Sequence, residues 1–499
     1  MIPLLALTAP LLSALVPAAR AGDFMDVWVT TAFEDKNVAA GPSDDDEAPN
    51  FVLRGNSTFF DNYESRYTSD ISQSRLVLYR KDEGFNPHIF TEAAMVIRFA
   101  PYIDGDSSKP GVNIADDGSY IRVGYKFNER EDHNLSLTGY AVDADRFRLG
   151  YSYDLTWGGR SAFVFDPSAA PGARLQYQNG TFYAFAGLKT AIGQFNTDDS
   201  EYTPSQAYYG SLYGLGGELG KHLRLEAGFG AIQQGQLDSV TDASSPLYHS
   251  MINAMGGCAQ LSVRSSDSID YIVSNELKLY RNSPDFVVDT YISHRQVEGI
   301  GVLVQTEANM LAHNLLDPAN TGSSLVETAG AGDLQALVIA GSTELGVDLV
   351  YKDLAYIVFN VPGITSQVGI PKDMDTSPQM YVRGKVSHYF EKARLTPSLG
   401  VGYMKPASYN TGSAWYVQYD AATVRHVPDG QTPADIMSGV LGVQWDVSKS
   451  VVGVGQLMYT LDNNESVSVA GDDGANTYAS AEPLVRNRLG FNLMMRARF

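Results

Sequence analysis

The last sixteen residues of the chain, Leu484 to Phe499, alternate between apolar and basic side chains. One face carries Val485, Leu489, Phe491, Leu493, Met495, Ala497 and Phe499, with Asn487 as its polar member. The other face carries Arg486, Arg488, Arg496 and Arg498, together with Gly490, Asn492 and Met494. A period of two residues is typical of a β-strand that separates two environments. The strand therefore belongs either to a sandwich with an apolar core or to a barrel with an apolar exterior and a wet interior.

The same alternation recurs along the whole chain, for example at residues 25–33, 93–99, 121–127, 147–157 and 223–229. No run after residue 21 reaches the roughly 18 consecutive apolar residues of a membrane-spanning helix. No proline-rich or serine-rich linker divides the chain, and its single cysteine, Cys258, cannot form an internal disulfide. These features predict one all-β domain that is stabilised by a closed hydrogen-bonded ladder.

The connections between the predicted strands fall into two length classes. Tight turns are predicted at Asn179-Gly180, Asp143–Asp145, Lys352-Asp353, Glu391-Lys392 and Ser448-Lys449, and long loops at about 159–172, 195–206, 236–248, 313–333, 361–377, 406–433 and 462–483. Counted back from the C-terminus, turns and loops alternate as far as about residue 145; the segments 35–73 and 103–117 are both long and break the alternation. About 21 strand candidates can be counted. Because a closed antiparallel barrel needs an even number, we predict about 18 strands, within a range of roughly 16 to 22.

Both ends of the chain resemble those of Gram-negative outer-membrane β-barrels. Phe499, on the same apolar face as Phe491, resembles the C-terminal assembly signature of these proteins. Residues 2–16 are apolar and precede the Ala19-Arg20-Ala21 motif, so residues 1–21 are predicted to be a cleaved signal peptide, although no Lys or Arg precedes the apolar run. Residues 22–499 then resemble the porins in architecture. Within them, residues 36–74 form an irregular acidic segment, predicted to be a loop or a constriction folded into the lumen.

The resemblance to porins implies a location and a function. It implies an integral protein of the bacterial outer membrane, with short periplasmic turns and long extracellular loops. It also implies contact with outer-membrane lipid and lipopolysaccharide, insertion by the barrel assembly machinery, and passive passage of hydrophilic solutes. Two alternatives remain open: a barrel similar to the alginate exporter that exports an acidic polysaccharide, and a secreted or surface β-protein that acts as an adhesin or receptor.

The charges of the chain are distributed unevenly between the predicted loops and strands. The chain has 36 Lys and Arg against 57 Asp and Glu, and no basic segment, so nucleic acid is excluded as an expected partner. Most acidic clusters lie in predicted loops. The rows predicted to face the lumen carry Arg98, Arg122, Lys126, Arg148, Arg224, Arg383, Lys385, Arg394, Arg486, Arg488, Arg496 and Arg498, with Lys189 and Lys278 also on them. An excess of positive charge in the lumen would favour small anionic solutes or an acidic polysaccharide, unless the charges pair across the wall.

No pattern in the chain indicates catalysis or a cofactor. The sequence has no G-x-S-x-G motif and no histidine pair at metal-binding spacing. Acidic clusters such as Asp44–Glu47 and Asp472-Asp473 lack the spacing of a calcium loop, although together they could hold cations that bridge lipopolysaccharide phosphates. We therefore predict no catalytic residue, no metal ligand and no cofactor.

The terminal aromatic residue yields the first testable prediction. Deleting Phe499, or replacing it with Asp, should reduce the amount of protein inserted into the outer membrane, because the assembly signature depends on that ring. Quantitative immunoblotting of outer-membrane fractions measures this amount. Unchanged levels in both variants would contradict the role of Phe499.

Overall fold

The computed structural model describes residues 26–35, 37–38, 72–103, 110–116, 118–142, 144, 147, 149–150, 155, 171–194, 205–237, 240, 242–269, 271, 297–359, 368–419, 424–470 and 476–498. Several predictions concern residues outside this part of the chain: the signal peptide at 1–21, most of segment 36–74, Arg148, Lys278 and Phe499. The backbone of Arg498 is described, whereas its side chain is not.

Nineteen strands form one large sheet. They are β1 Asp26–Asp35, β2 Ser72–Glu83, β3 Ile89–Ile103, β4 Pro110–Asp116, β5 Tyr120–Lys126, β6 His133–Tyr140, β7 Gly172–Asn179, β8 Phe182–Gln194, β9 Ser205–Leu219, β10 Leu223–Gln236, β11 Met251–Arg264, β12 Val297–Asp317, β13 Asn320–Gly341, β14 Thr343–Lys352, β16 Gln379–His388, β17 Leu395–Lys405, β21 Ile436–Asp446, β22 Val451–Leu461 and β25 Asn487–Arg498.

The remaining elements lie in the connections between these strands. They are α1 Leu354–Phe359, β15 Asp375–Ser377, β18 Ala407–Asn410, β19 Trp415–Gln418, β20 Val424–His426, β23 Ser466–Ala470, β24 Asn476–Ser480, α2 Pro483–Arg486 and a 3-10 turn at Phe127–Glu129. Strands β15, β18, β19 and β20 form a small separate sheet, and β23 pairs with β24. None of the described helices is long and apolar enough to span a bilayer.

The large sheet closes on itself as an antiparallel barrel. The last strand, β25, pairs with β1, from Trp28 opposite Arg498 to Asp35 opposite Phe491. Strands β4 and β5 both pair with β3, along different halves of it, and so occupy one position in the wall. The wall therefore has 18 positions, which confirms the predicted all-β fold and the predicted strand number.

Each wall strand separates an apolar outer face from a mostly polar inner face. On β25, Leu493 and Met495 point outward and are 56% and 59% exposed, whereas Arg488 and Arg496 point inward and are each 3% exposed. Strand β5 repeats this alternation at every residue. Outward-facing Val, Ile, Leu, Met, Phe, Tyr and Trp side chains occur on strands all around the barrel. A continuous apolar exterior of this size is unfavourable in water and matches the hydrocarbon core of a membrane.

Both described chain ends lie at the end of the barrel that carries short turns, at residues 84–88, 127–132, 180–181, 220–222, 389–394 and 447–450. The strand ends that flank segments 35–73 and 103–117 both lie at the opposite end, because β2 and β3 run between the two ends and are joined by the turn at 84–88. The break predicted in the alternation of turns and loops was therefore wrong.

Two other connections differ from the prediction. Residues 313–333, predicted to be a loop, belong to the β12–β13 hairpin, which turns at Pro318-Ala319. The carboxylate of Asp317 accepts a 2.9 Å hydrogen bond from the backbone N–H of Ala319 and so stabilises this turn. Lys352-Asp353, predicted to be a tight turn, instead starts a long connection that contains α1. Polar and glycine-rich composition suggested a loop at 313–333, but strand pairing overrides it.

The two faces of the wall can be compared at one depth, where Leu493 is opposite Gly455 and the adjacent Gln456 is opposite Asn492. Leu493→Lys should destabilise the barrel by about 2 to 4 kcal/mol if Leu493 lies near the bilayer midplane. Gln456→Lys introduces the same charge on the inner face and should cost less. Denaturant unfolding in lipid vesicles measures both, and equal destabilisation would contradict the assigned faces.

Candidate pore and its inner constriction

Part of the connection between β6 and β7 lies inside the barrel. Ala144, Phe147, Leu149 and Leu155, which are apolar residues of this connection, are all buried. The alternation at 147–157 was predicted to be a wall strand, and that prediction was wrong. These side chains pack against the inner wall instead: the Phe147 ring lies 5.7 Å from that of Phe185. We call the described residues Ala144, Phe147, Leu149, Gly150 and Leu155 the inner segment.

Hydrogen bonds from three elements hold the main chain of the inner segment. The ammonium group of Lys189, on β8, donates to the carbonyl oxygens of Ala144 at 3.0 Å and Phe147 at 3.1 Å. The Asn309 amide, on β12, donates to the carbonyl oxygen of Leu155 at 2.7 Å. The inner segment is therefore attached to the wall at two places, with β9, β10 and β11 between them.

The hydroxyl group of Tyr356, on α1, also donates to the carbonyl oxygen of Leu155. Burial raises the pKa of this hydroxyl well above its ordinary value, and the nearby Glu307 carboxylate raises it further. Tyr356 therefore stays protonated and remains a donor at neutral pH. This bond joins two connections that are distant in sequence.

Two further elements fill the long-loop end of the barrel. Helix α1 buries Leu354, Ala355 and Ile357 as well as Tyr356, and the backbone N–H of Gly330 donates to the Asp353 carboxylate at its start, at 2.8 Å. In the connection between β17 and β21, the apolar side chains of Val417 and Val427 belong to the same buried cluster as Phe147 and Tyr356. The inner segment, α1 and this connection together narrow the interior.

The buried charges of the described residues are close to balanced. The basic ones are Arg98, Arg122, Lys126, Arg174, Lys189, Arg224, Lys352, Arg488 and Arg496, and the acidic ones are Glu92, Glu226, Glu307, Asp333, Asp446, Asp462 and Glu465. Nine basic groups face seven acidic ones, so the excess of positive charge is smaller than the sequence rows indicated.

Several of these charges form compact groups with a tyrosine. The Tyr183 hydroxyl donates to the Glu226 carboxylate at 2.6 Å, and Arg224 donates to the same oxygen at 3.1 Å. Tyr120 and Arg122 donate to the two different carboxylate oxygens of Glu92, at 2.6 and 3.5 Å. Buried charges that are paired and hydrogen-bonded in this way offset one another's desolvation and weaken the field they exert at a distance.

The residues that were predicted to line the lumen differ in burial in the structure. Arg98, Arg122, Lys126, Arg224, Arg488 and Arg496 point inward and are buried, whereas Arg383, which pairs with Asp348, and Lys385 are partly exposed. Arg148 and the Arg498 side chain lie outside the described part of the chain. Lys126 pairs with Glu83, and Arg488 pairs with the buried Glu465.

Two of the predicted lumen positions were wrong. Arg394 is exposed and lies in the turn before β17 with a φ of 53°, because the strand begins only at Leu395. Arg486 ends helix α2, and its guanidinium donates to the side-chain oxygen of Asn463 at 3.4 Å. In both cases the strand pattern was extended too far toward the N-terminus. Phe491 pairs with β1 at the outer face, with its ring 5.6 Å from that of Phe33.

Sequence reasoning missed six buried charged residues, namely Arg174, Glu307, Asp333, Lys352, Asp462 and Glu465. The loop predicted at about 159–172 ended where β7 begins, but no residue of β7 was assigned to a lumen row, although Arg174, Gln176 and Gln178 alternate with apolar residues just before the predicted Asn179-Gly180 turn. That alternation was the available signal for Arg174. Glu307 and Asp333 lie on β12 and β13, in a region where polar residues obscure the period of two.

Comparisons with known proteins give similarity at the level of solved structures. No family model and no curated protein matches the chain. OccAB2 of Acinetobacter baumannii is similar with 8% identity and a TM-score of 0.48, over 96% of this chain and 98% of that one. OpdQ of Pseudomonas aeruginosa has 8% identity and a TM-score of 0.43, over 95% and 97%. OmpT, an outer-membrane protein of Vibrio cholerae, has 10% identity and a TM-score of 0.39, over 95% and 98%.

Identities and TM-scores this low are insufficient to transfer a substrate or an oligomeric state. The closed wall of 18 antiparallel positions, apolar outside and polar inside, is a property of the chain itself. The chain has the porin-like architecture of Gram-negative outer-membrane barrels.

The attachment of the inner segment can be tested at Lys189. Lys189→Met keeps an unbranched side chain that is one atom shorter and removes both hydrogen bonds to the inner segment. Each hydrogen bond contributes about 0.5 to 1.5 kcal/mol, so an arrangement in which the inner segment has left the wall becomes at least several times more populated. Because the inner segment narrows the interior, the mean conductance in planar bilayers should change and is expected to rise. Lys385→Met removes an inward charge from β16, and its conductance should change less. A smaller conductance change for Lys189→Met than for Lys385→Met would contradict the attachment.

Proposed function

We propose that the chain is an integral outer-membrane channel that passes small hydrophilic solutes through the interior of the barrel. One observation carries this proposal: a closed wall whose outer face is apolar and whose inner face is polar and charged. Such a wall satisfies its backbone hydrogen bonds internally and places polar groups where water and solutes can pass.

The distribution of charge within the wall supports a preference for anions. Strands β3 to β10 bury six basic side chains and two acidic ones, Glu92 and Glu226, whereas β12 and β13 bury only the acidic Glu307 and Asp333. A solute that passes along β3 to β10 therefore meets more basic than acidic side chains, even though Arg122, Arg224 and Lys126 are paired with Glu92, Glu226 and Glu83. Low-dielectric walls focus such a field into the lumen.

The elements inside the barrel favour small solutes over a polymer. A polysaccharide would need a continuous passage along its whole length during export, and the inner segment and α1 occupy part of that space. A soluble secreted adhesin would expose the apolar outer face of the wall to water, which is unfavourable. The exporter and adhesin hypotheses therefore have less support than the channel.

Membrane location can be tested independently of transport. The native protein should partition with the outer membrane, and its migration in detergent gels should change on heating, because a closed barrel resists detergent until it unfolds. Current across planar bilayers should then appear in unitary steps. A soluble protein, or an inserted barrel without unitary currents, would contradict the proposed channel.

Ion preference can be tested with two matched arginines. Under a potassium chloride gradient the reversal potential should have the sign of an anion-preferring pore. Arg98→Gln removes a buried inward charge and should shift the potential toward cation preference, whereas Arg130→Gln removes an exposed charge in a turn and should shift it less. A cation-selective wild-type potential would refute the anion preference.

A further inference from the structure

The inner face of β5, β6 and β7 carries a compact group of polar side chains. Arg122 is opposite Thr138, which is in turn opposite Arg174, and the next inward residue of β7, Gln176, is opposite Ser136. Thr138 is fully buried, Arg174 is 1% exposed and Gln176 is 4% exposed. Two guanidinium groups therefore lie on the same face as a hydroxyl and a carboxamide group.

Two atoms of this group lack a hydrogen-bond partner. Among the described residues, none bonds to the hydroxyl oxygen of Thr138 or to the amide oxygen of Gln176. Leaving a buried polar atom unsatisfied costs about 1 to 3 kcal/mol, so such atoms normally bind water or a ligand. Two of them on neighbouring strands indicate a place for a solute with several polar groups.

The chemistry of the group specifies what such a solute must offer. The Gln176 amide oxygen only accepts and needs a hydroxyl donor, the Thr138 hydroxyl donates or accepts, and Arg174 favours a carboxylate. Neighbouring strands are about 4.8 Å apart and alternate residues of one strand about 7 Å apart, which is close to the size of a pyranose ring. Phe185, opposite Gln176, adds an aromatic ring beside these groups.

We propose that Arg174, Thr138 and Gln176 form a subsite for a polyhydroxylated carboxylate, such as a sugar acid. The subsite rests on the proposed anion channel and names the class of solute that the channel selects. Arg122, on the other side of Thr138, is paired with Glu92, which lies 3.5 Å from its guanidinium. Arg174, on the far side of Thr138, is the main group for the carboxylate.

The inner segment covers the subsite. The Phe147 ring lies 5.9 Å from the Arg174 guanidinium, and the Phe185 ring lies 6.0 Å from it. A solute that binds Arg174 therefore displaces the Phe147 ring and replaces its cation–π contact with a charge-assisted hydrogen bond. Phe147→Ala should lower the concentration of solute needed to occupy the subsite.

The test is block of chloride current by three probes of similar size. Glucuronate carries a carboxylate and hydroxyl groups, cyclohexanecarboxylate carries only the carboxylate, and glucose carries only hydroxyl groups. In the wild-type protein, glucuronate should halve the current at the lowest concentration of the three. Equal half-blocking concentrations for glucuronate and cyclohexanecarboxylate would overturn the proposal.

Variants separate the subsite from a structural role of the same residues. Thr138→Val and Gln176→Leu should each raise the half-blocking concentration of glucuronate about two- to tenfold, the effect of one lost hydrogen bond, and leave cyclohexanecarboxylate unchanged. Thr138→Ser should restore block by glucuronate. Arg174→Gln should weaken block by both carboxylates. Unchanged glucuronate block in Thr138→Val and Gln176→Leu would overturn the proposal.

A matched control comes from Ser438, on β21. Its buried hydroxyl also lacks a partner among the described residues but lies far around the wall from β6. Ser438→Ala should leave glucuronate block unchanged, and an effect equal to that of Thr138→Val would contradict a local subsite. Heat-modifiable migration verifies the folding of each variant.

Failure of the subsite and failure of the channel give different results. If the purified barrel carries no current, the channel proposal fails, and titration calorimetry of the detergent-solubilised protein with glucuronate still tests the subsite. Binding that Thr138→Val weakens would support the subsite alone. Absence of glucuronate binding together with normal current would refute the subsite alone.

Discussion

The closure of β25 on β1 is the interaction on which the rest of the structure depends. Eight residues of each strand are paired, from Trp28 opposite Arg498 to Asp35 opposite Phe491, and this pairing joins residues almost a full chain length apart. Without it the sheet would have two edges with unpaired backbone groups, which are unfavourable in hydrocarbon. Because the ladder is closed, the outer side chains can be apolar and the inner ones polar on every strand.

The period of two residues was sufficient to predict the wall but not what lies inside it. On β25 the sequence alternation and the observed faces agree, because one side of that strand contacts lipid and the other the lumen. Phe147, Leu149 and Leu155 show the same alternation, yet they fold inward, because apolar surface is also available on the inner wall beside Phe185 and Leu212. The alternation in the sequence predicts that apolar side chains share one face of a segment. It does not predict whether that face contacts the lipid or the inner wall.

The candidate site was predicted in part. Arg122 and Arg224 were recognised from strand parity, whereas Tyr120 and Tyr183, which donate to the carboxylates that these arginines contact, required the register between strands. Arg394 and Arg486 were misplaced because alternation does not mark where a strand begins. Arg174 was missed because its strand, β7, has only eight residues and gives a short pattern. A count of basic residues therefore overestimates the field in the lumen, since it omits the acids and hydroxyl groups that compensate it.

The unequal height of the wall has a consequence for the surrounding bilayer. Strands β5 to β7 have 7 or 8 residues, whereas β12 and β13 have 21 and 22. At about 3.3 Å per residue, the short strands span roughly 25 Å along their own direction and less along the membrane normal when tilted. Unless the barrel tilts, the bilayer next to β5 to β7 must therefore be thinner than the bilayer next to β12 and β13, on the side of the wall where Arg174 and Thr138 are found.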